Sequence, residues 1–170
     1  GSITALRVDA IVNAANEGLR PGGGICGAIH DAAGPQLADE CRRVGSPPAR
    51  CPTGHTVLTR GYQLPAKFVL HTVGPQCEDH ELLRSSYVTT LDLAAQNEIR
   101  TIALCCVSTG IFGFPLEAAT HIALGTVRRW LDEHADALER VVFVVFRQCE
   151  EDMYEDLMPS YFPRPGVDRP

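Results

Sequence analysis

Residues 8–34 read VDAIVNAANEGLRPGGGICGAIHDAAG, and the order of chemistry in them predicts an α/β fold. Asp9–Val12 is a short apolar run that gives way to Asn13-Ala14-Ala15-Asn16, the pattern of a strand finishing at a polar loop. Gly22, Gly23 and Gly24 follow, and Ile25–Ala33 has the composition of a helix that starts directly after them. Glycine lets a backbone approach an anion closely, and a helix start offers unpaired N–H groups with a favourable dipole. Three glycines alone more often make only a turn, so the reading needs a second feature.

That feature lies downstream. Thr101–Val107 is a buried strand by composition and runs into Ser108-Thr109-Gly110-Ile111-Phe112-Gly113, a second loop of the same character. Between the two loops, Gln36–Val44 reads as a helix, and His55–Arg60 and Phe68–Thr72 read as strands between Gly and Pro punctuation. Leu83, Tyr87, Leu91 and Ala94 recur at helical spacing. Pro115 suits the first turn of a helix that presents Ala119, Ala123, Val127, Trp130 and Leu131 on one face. Val141–Phe146 is the last strand and Glu150–Met158 a short terminal helix. Strands alternating with helices predict an α/β sandwich. Because ligands sit at the carboxyl ends of strands in such sheets, the two loops are expected to converge on one phosphate-bearing ligand. Neither GxGxxG nor a Walker A lysine is present, which excludes the ordinary dinucleotide and P-loop readings.

The chain's 170 residues suit one domain, placed at 1–162, with a Pro-rich stretch from Pro159 and a linker-like tail at 163–170. No apolar run approaches the roughly 20 residues of a membrane span, so no membrane partner is expected. A net charge of −6 argues against a general nucleic-acid binder. Of the 15 basic residues only Lys67 is lysine, a skew with no evident catalytic meaning. Seven scattered cysteines, with no Cys/His pair at zinc spacing, read as reduced core thiols, and no metal site is expected.

The residue 8–34 run, then TGHTVLTRGYQLPAKFVLHTVGP (53–75), then VSTGIFGFPLEAA (107–119), together resemble a macrodomain of the MacroD type. FVVFRQCEEDMYEDLMPSYFP (143–163) is similar to that family's last strand and helix. The resemblance implies a three-layer α/β/α sandwich with a central mixed sheet, and ADP-ribose in a cleft across the strand ends. It implies that Asn16 hydrogen-bonds the distal ribose and that Gly22, Gly23, Gly24, Ile25 and Cys26 line the first diphosphate loop. Ser108, Thr109, Gly110, Ile111 and Phe112 would wrap the diphosphate from the other side, with Phe112 against the ribose. Adenine would lie near Ser2, Ile3, Phe146 and Arg147. The implied activity is removal of mono-ADP-ribose from Asp and Glu side chains by a positioned water. Asn16, Gly24, Cys26 and Phe112 would form the catalytic group, with no cofactor beyond the ADP-ribose product. ADP-ribosylated proteins are the implied partners, the isolated domain is expected to be a monomer, and the cytoplasm is its expected site of action.

Two positions depart from that family. Ser2 stands where members usually carry an adenine-reading Asp. Gly1-Ser2 has the composition of a cloning remnant; if native, it should weaken adenine selectivity by roughly 1–3 kcal/mol. Cys26 replaces the Asp proposed to activate water. The pattern Gly-Gly-Gly-Ile-Cys resembles macrodomains of viral replicase polyproteins (alphavirus, hepevirus, rubivirus-like), which would imply a role in host cytoplasm against an antiviral response. Cys26 is read as a lining residue in preference to a nucleophile, and His30 as either ligand-facing or core. A reader that binds without turnover, and a replicase module that accepts adenine-rich RNA, are the alternative functions. His71 is read as a core histidine, and the acidic run Glu150-Glu151-Asp152, Glu155-Asp156 as a solvated helix face.

Overall fold

The computed structural model describes residues 1–163. Apolar runs sealed on both faces, among them Ile11, Val69, Leu70, Ile102 and Ala103, form the middle of a five-stranded sheet. Its strands are β1 (Ala10–Ala14), β2 (Thr56–Arg60), β3 (Phe68–Thr72), β4 (Thr101–Cys105) and β5 (Arg140–Val144), in the order β2-β3-β1-β4-β5. β1 pairs in parallel with both β3 and β4, with Ala10 opposite Phe68 and Ile102. β4 and β5 are also parallel, and β2 is antiparallel to β3, so the sheet is mixed. Helices α1 (Gly24–Ala33) and α2 (Pro35–Cys41) pack on β1 and β2, whereas α3 (His80–Gln96) covers β2 and β3. The helix α4 (Leu116–Glu133) lies between α3 and α5 (Gln148–Tyr161), completing the α/β/α sandwich.

The chain leaves β1 towards β3 on one side and returns through β4 on the other. The crevice between β1 and β4 is therefore the topological switch point, where open α/β sheets hold ligands. The loops carrying Gly22–Gly24 and Ser108–Gly113 are the two that follow these strands.

Several boundaries differ from expectation. β4 ends at Cys105, so Cys106 and Val107 belong to the loop, and the Tyr87 hydroxyl accepts from Val107 N–H at 3.4 Å. Pro159 lies inside α5, which the sequence ended at Met158. A proline so near a helix end forfeits one intrahelical bond. The Tyr161 hydroxyl, 2.7 Å from His121 Nδ1, holds the last turn against α4. The proposed linker at 163–170 lies outside the described residues from 164 onward. A short 3-10 turn at Ile3–Ala5, not foreseen, buries Ile3.

Asp9 begins the β1 stretch and fastens three strand starts together. It accepts Lys67 Nζ at 2.7 Å and the N–H groups of Arg100 and Thr101, and Lys67 chiefly holds its carboxyl at about 2. At the far end of the molecule Asp79 caps α3 by accepting Leu82 N–H at 3.0 Å. Asp79→Ala is expected to lower stability by about 1 kcal/mol in urea unfolding, with no change in ligand affinity.

Candidate functional site

The two loops meet. A Cβ built on Gly23 would stand 3.2 Å from Ile111 Cδ1, so the first loop and the second are in contact across the switch point. Gly23 precedes the first turn of α1 in an extended conformation, and no side chain caps that helix. Its first N–H groups are therefore free for an anion. In the second loop, Phe114 N–H bonds Ser108 C=O at 2.9 Å and Gly113 N–H bonds Gly110 C=O at 3.0 Å. These two bonds close the loop into a ring, and the N–H groups of Gly110, Ile111 and Phe112 make no backbone bond among the described residues. Ser108, at φ 65°, is bent into a left-handed conformation beneath them. Strain of this kind persists only where surrounding packing enforces it.

Asn16 braces the first loop. Its Nδ2 donates to Arg20 C=O at 2.7 Å and its Oδ1 accepts Arg20 N–H at 3.0 Å. One N–H and one lone pair remain for a ligand. The amide is thus held in place with capacity to spare. Cys26 is buried; its sulfur lies 3.6 Å from Asn13 Nδ2 and 3.6 Å from Arg20 C=O, beneath the loop. Gly22, Gly24 and Gly110 are exposed, Ile25 and Phe112 are half-buried, and Thr109 is buried.

His30 is buried, and it shares the buried stripe of α1 with Cys26, Ile29 and Ala33. It joins Cys41 and His71, and the three donor atoms lie within 4.8 Å of one another, although the sequence showed no zinc spacing among them. His71 already uses both nitrogens: Nδ1 accepts from Asn13 Nδ2 at 3.1 Å and Nε2 donates to Thr59 at 2.8 Å. Burial pushes the Cys41 thiol up to about 11, reinforced by Glu40. His71 is thus fastened under the first loop, whereas both ring nitrogens of His30 are buried without a hydrogen-bond partner.

At the other end, Phe146 is 94% exposed and Ile3 is buried, while the Ser2 hydroxyl bonds Thr4 Oγ1 at 2.7 Å and the Ser2 carbonyl accepts Ala5 N–H at 3.2 Å. Glu150 corrects the acidic run: it is buried, whereas Glu151, Asp152, Glu155 and Asp156 are exposed. Its carboxylate accepts Phe146 N–H at 2.9 Å, Arg147 N–H at 3.0 Å and the Arg147 guanidinium at 2.8 Å. Arg147 in turn donates to Thr109 C=O at 3.0 Å. Glu150 and Arg147 so tie the start of α5 to the second loop. The three-residue spacing of a capping box was the signal available for this.

A family model described as Macro domain matches residues 12–123. The chain is 47% identical over 169 residues to the ADP-ribose glycohydrolase MACROD1 of Bos taurus, covering 96% of this chain and 51% of that protein. It is 45% identical over 163 residues to the O-acetyl-ADP-ribose deacetylase of Escherichia fergusonii, covering 93% and 92% respectively. The chain spans about half the length of the vertebrate relatives it matches. Among solved structures it is similar to the Trypanosoma brucei macrodomain in complex with ADP-ribose. The TM-score is 0.88 at 49% identity, covering 93% of this chain and 66% of that one.

Proposed function

The chain belongs to the Macro domain family, and from that membership we propose that it binds ADP-ribose and removes mono-ADP-ribose from Asp and Glu side chains of modified proteins. The observation that carries the reading is the contact of Gly23 with Ile111, which sets two N–H-bearing loops on either side of one crevice. A diphosphate fits between them by backbone hydrogen bonds alone, which suits a chain of net charge −6. The names of the relatives, a glycohydrolase and a deacetylase, support the same substrate class.

The chemistry rests on positioning. The carboxylate released from an ester-linked ADP-ribose is a good leaving group, so little base is needed. A water held between the ligand's phosphate and the Gly22–Gly24 backbone attacks the anomeric carbon, with Asn16 and Phe112 fixing the ribose. Cys26 cannot replace a carboxylate base, and its sulfur is directed at Asn13 and Arg20 C=O. That placement is what favours the second reading, a module that binds ADP-ribose without turnover. The narrower viral reading rests on Cys26 in the glycine loop, whereas the likeness to the ADP-ribose glycohydrolase MACROD1 covers 96% of this chain; the MacroD-type reading is the one proposed.

Incubation with a protein auto-modified on Glu and Asp should release the label, and Asn16→Ala should slow release by about tenfold or more, the equivalent of one strong hydrogen bond. Retained label with ADP-ribose still bound in calorimetry would leave the reader.

A further inference from the structure

A cavity of about 350 Å³ opens behind the first loop, walled by its Gly18–Pro21 segment, by Ala38 of α2, and by Arg20, Arg42 and Arg50. Three arginines around one cavity run against the net charge of −6. None of the nearby carboxylates is among the residues that wall the cavity, and each has partners of its own. Glu17 accepts Thr53 N–H at 3.1 Å and its hydroxyl at 2.9 Å. Glu40 accepts Arg60 N–H at 3.0 Å and the Tyr62 hydroxyl at 2.8 Å. Asp39 pairs with Arg42 alone, on the surface. Arg50 gives one N–H to Val44 C=O at 3.2 Å, which leaves most of its donors free. Buried Leu19, Pro21 and Ala38 supply apolar surface to the same lining. Carboxylate side chains on short aliphatic stems match such a lining.

Position supplies the rest. The Arg20 backbone accepts one hydrogen bond from the Asn16 amide and donates one to it, so one short loop has Asn16 on one side and the cavity on the other. Along the sheet order, Phe146 follows β5, the diphosphate crevice lies between β4 and β1, and the cavity lies beyond β1 against α2, which packs on β2. On the proposed function, on which this inference rests, the acceptor protein leaves the cleft past the distal ribose. That exit is on the cavity's side.

We infer that the Arg20–Arg42–Arg50 cavity is a docking site for the acidic segment that flanks a modified Asp or Glu, making acidic acceptor sequences the preferred substrates. The test uses two peptides carrying ADP-ribose on one side chain through a non-hydrolysable link, one flanked by Glu and Asp, the other by Gln and Asn. Binding is followed by fluorescence anisotropy, which does not depend on turnover. The native chain should bind the acidic peptide roughly tenfold tighter at low salt, and the advantage should fade as salt rises. R42Q/R50Q should remove that advantage and leave the affinity for free ADP-ribose unchanged. The neutral variant limits folding damage, which matching thermal melts would verify. Equal affinity of the native chain for both peptides overturns the inference. So does an equal loss of free ADP-ribose binding in the variant, which would put the arginines in the ligand cleft. Arginine dependence seen only with an ADP-ribose dimer would assign the cavity to poly(ADP-ribose) phosphates instead. Failure of the native chain to bind free ADP-ribose would defeat the underlying function itself, a separate outcome.

Discussion

Gly27→Ala is expected to lose most ADP-ribose binding while the domain still folds. Gly27 sits in the first turns of α1, where alanine would ordinarily be the better helix former. Here an added Cβ would stand 2.5 Å from the carbonyl oxygen of Gly22. That neighbour is backbone, so no rotamer change relieves the contact, and either α1 or the glycine loop must move. α1 is anchored by the buried Ile29 and Ala33 against the sheet, so the loop yields. Displacing Gly22 also disturbs the Asn16 amide, whose Nδ2 lies within 3.6 Å of where a Gly22 Cβ would stand. Losing alignment of one or two hydrogen bonds to a charged diphosphate corresponds to roughly tenfold to a hundredfold in affinity. Overpacking of this kind costs about 1–3 kcal/mol of stability, which a domain normally survives. Calorimetry with ADP-ribose beside urea unfolding reads both quantities. Undiminished affinity would mean that the Gly22 carbonyl is not held where the structure puts it.

Gly27 also marks the limit of sequence reading. The Gly22–Gly24 triplet was legible because glycines before a helix have a direct chemical meaning at a strand end. Gly27, inside the helix, carries no such local signal; its need arises from a carbonyl five residues earlier that only the folded loop brings close. The convergence of the two loops followed from their positions after strands and is realised in the Gly23–Ile111 contact. What escaped was sidedness. His30 lies one turn from Cys26, and periodicity alone cannot say whether that face meets ligand or core. The fold buries His30 on one stripe with Cys26, Ile29 and Ala33. Glu150 escaped for the opposite reason: an acidic run looks solvated residue by residue, yet its first member is drawn inward by two backbone N–H groups and Arg147. The arginine cavity combines residues from three separated segments, and no spacing rule links position 20 with 42 and 50.

The histidines beneath the first loop should govern acid stability, the second large effect expected. His71 is fully buried, and desolvation, aided by the neighbouring His30, lowers its pKa from 6.5 to about 3. His30 shifts in the same direction, mainly through burial. Protonating His71 at Nδ1 would set its new N–H against the Asn13 amide N–H that now donates to it. The unfolded chain therefore binds protons below pH 6.5 that the folded chain refuses until about pH 3. The neutral imidazole's contribution is complete above pH 6.5 and is lost as the pH falls through that window. Integrated over the window, His71 alone is worth of order 5 kcal/mol, a large part of a typical domain's 5–15 kcal/mol. Asp9, held at about 2 chiefly by Lys67, acts in a lower window, between its ordinary 3.8 and that value. Urea midpoints taken across pH 7 to 4 should thus fall steeply in the native chain and much less in His71→Asn, whose amide cannot titrate. The variant starts from lower stability at pH 7, so the slope, not the absolute midpoint, is diagnostic. Parallel slopes would show that the imidazole is already open to protons, and the support under the glycine loop looser than its hydrogen bonds to Asn13 and Thr59 imply.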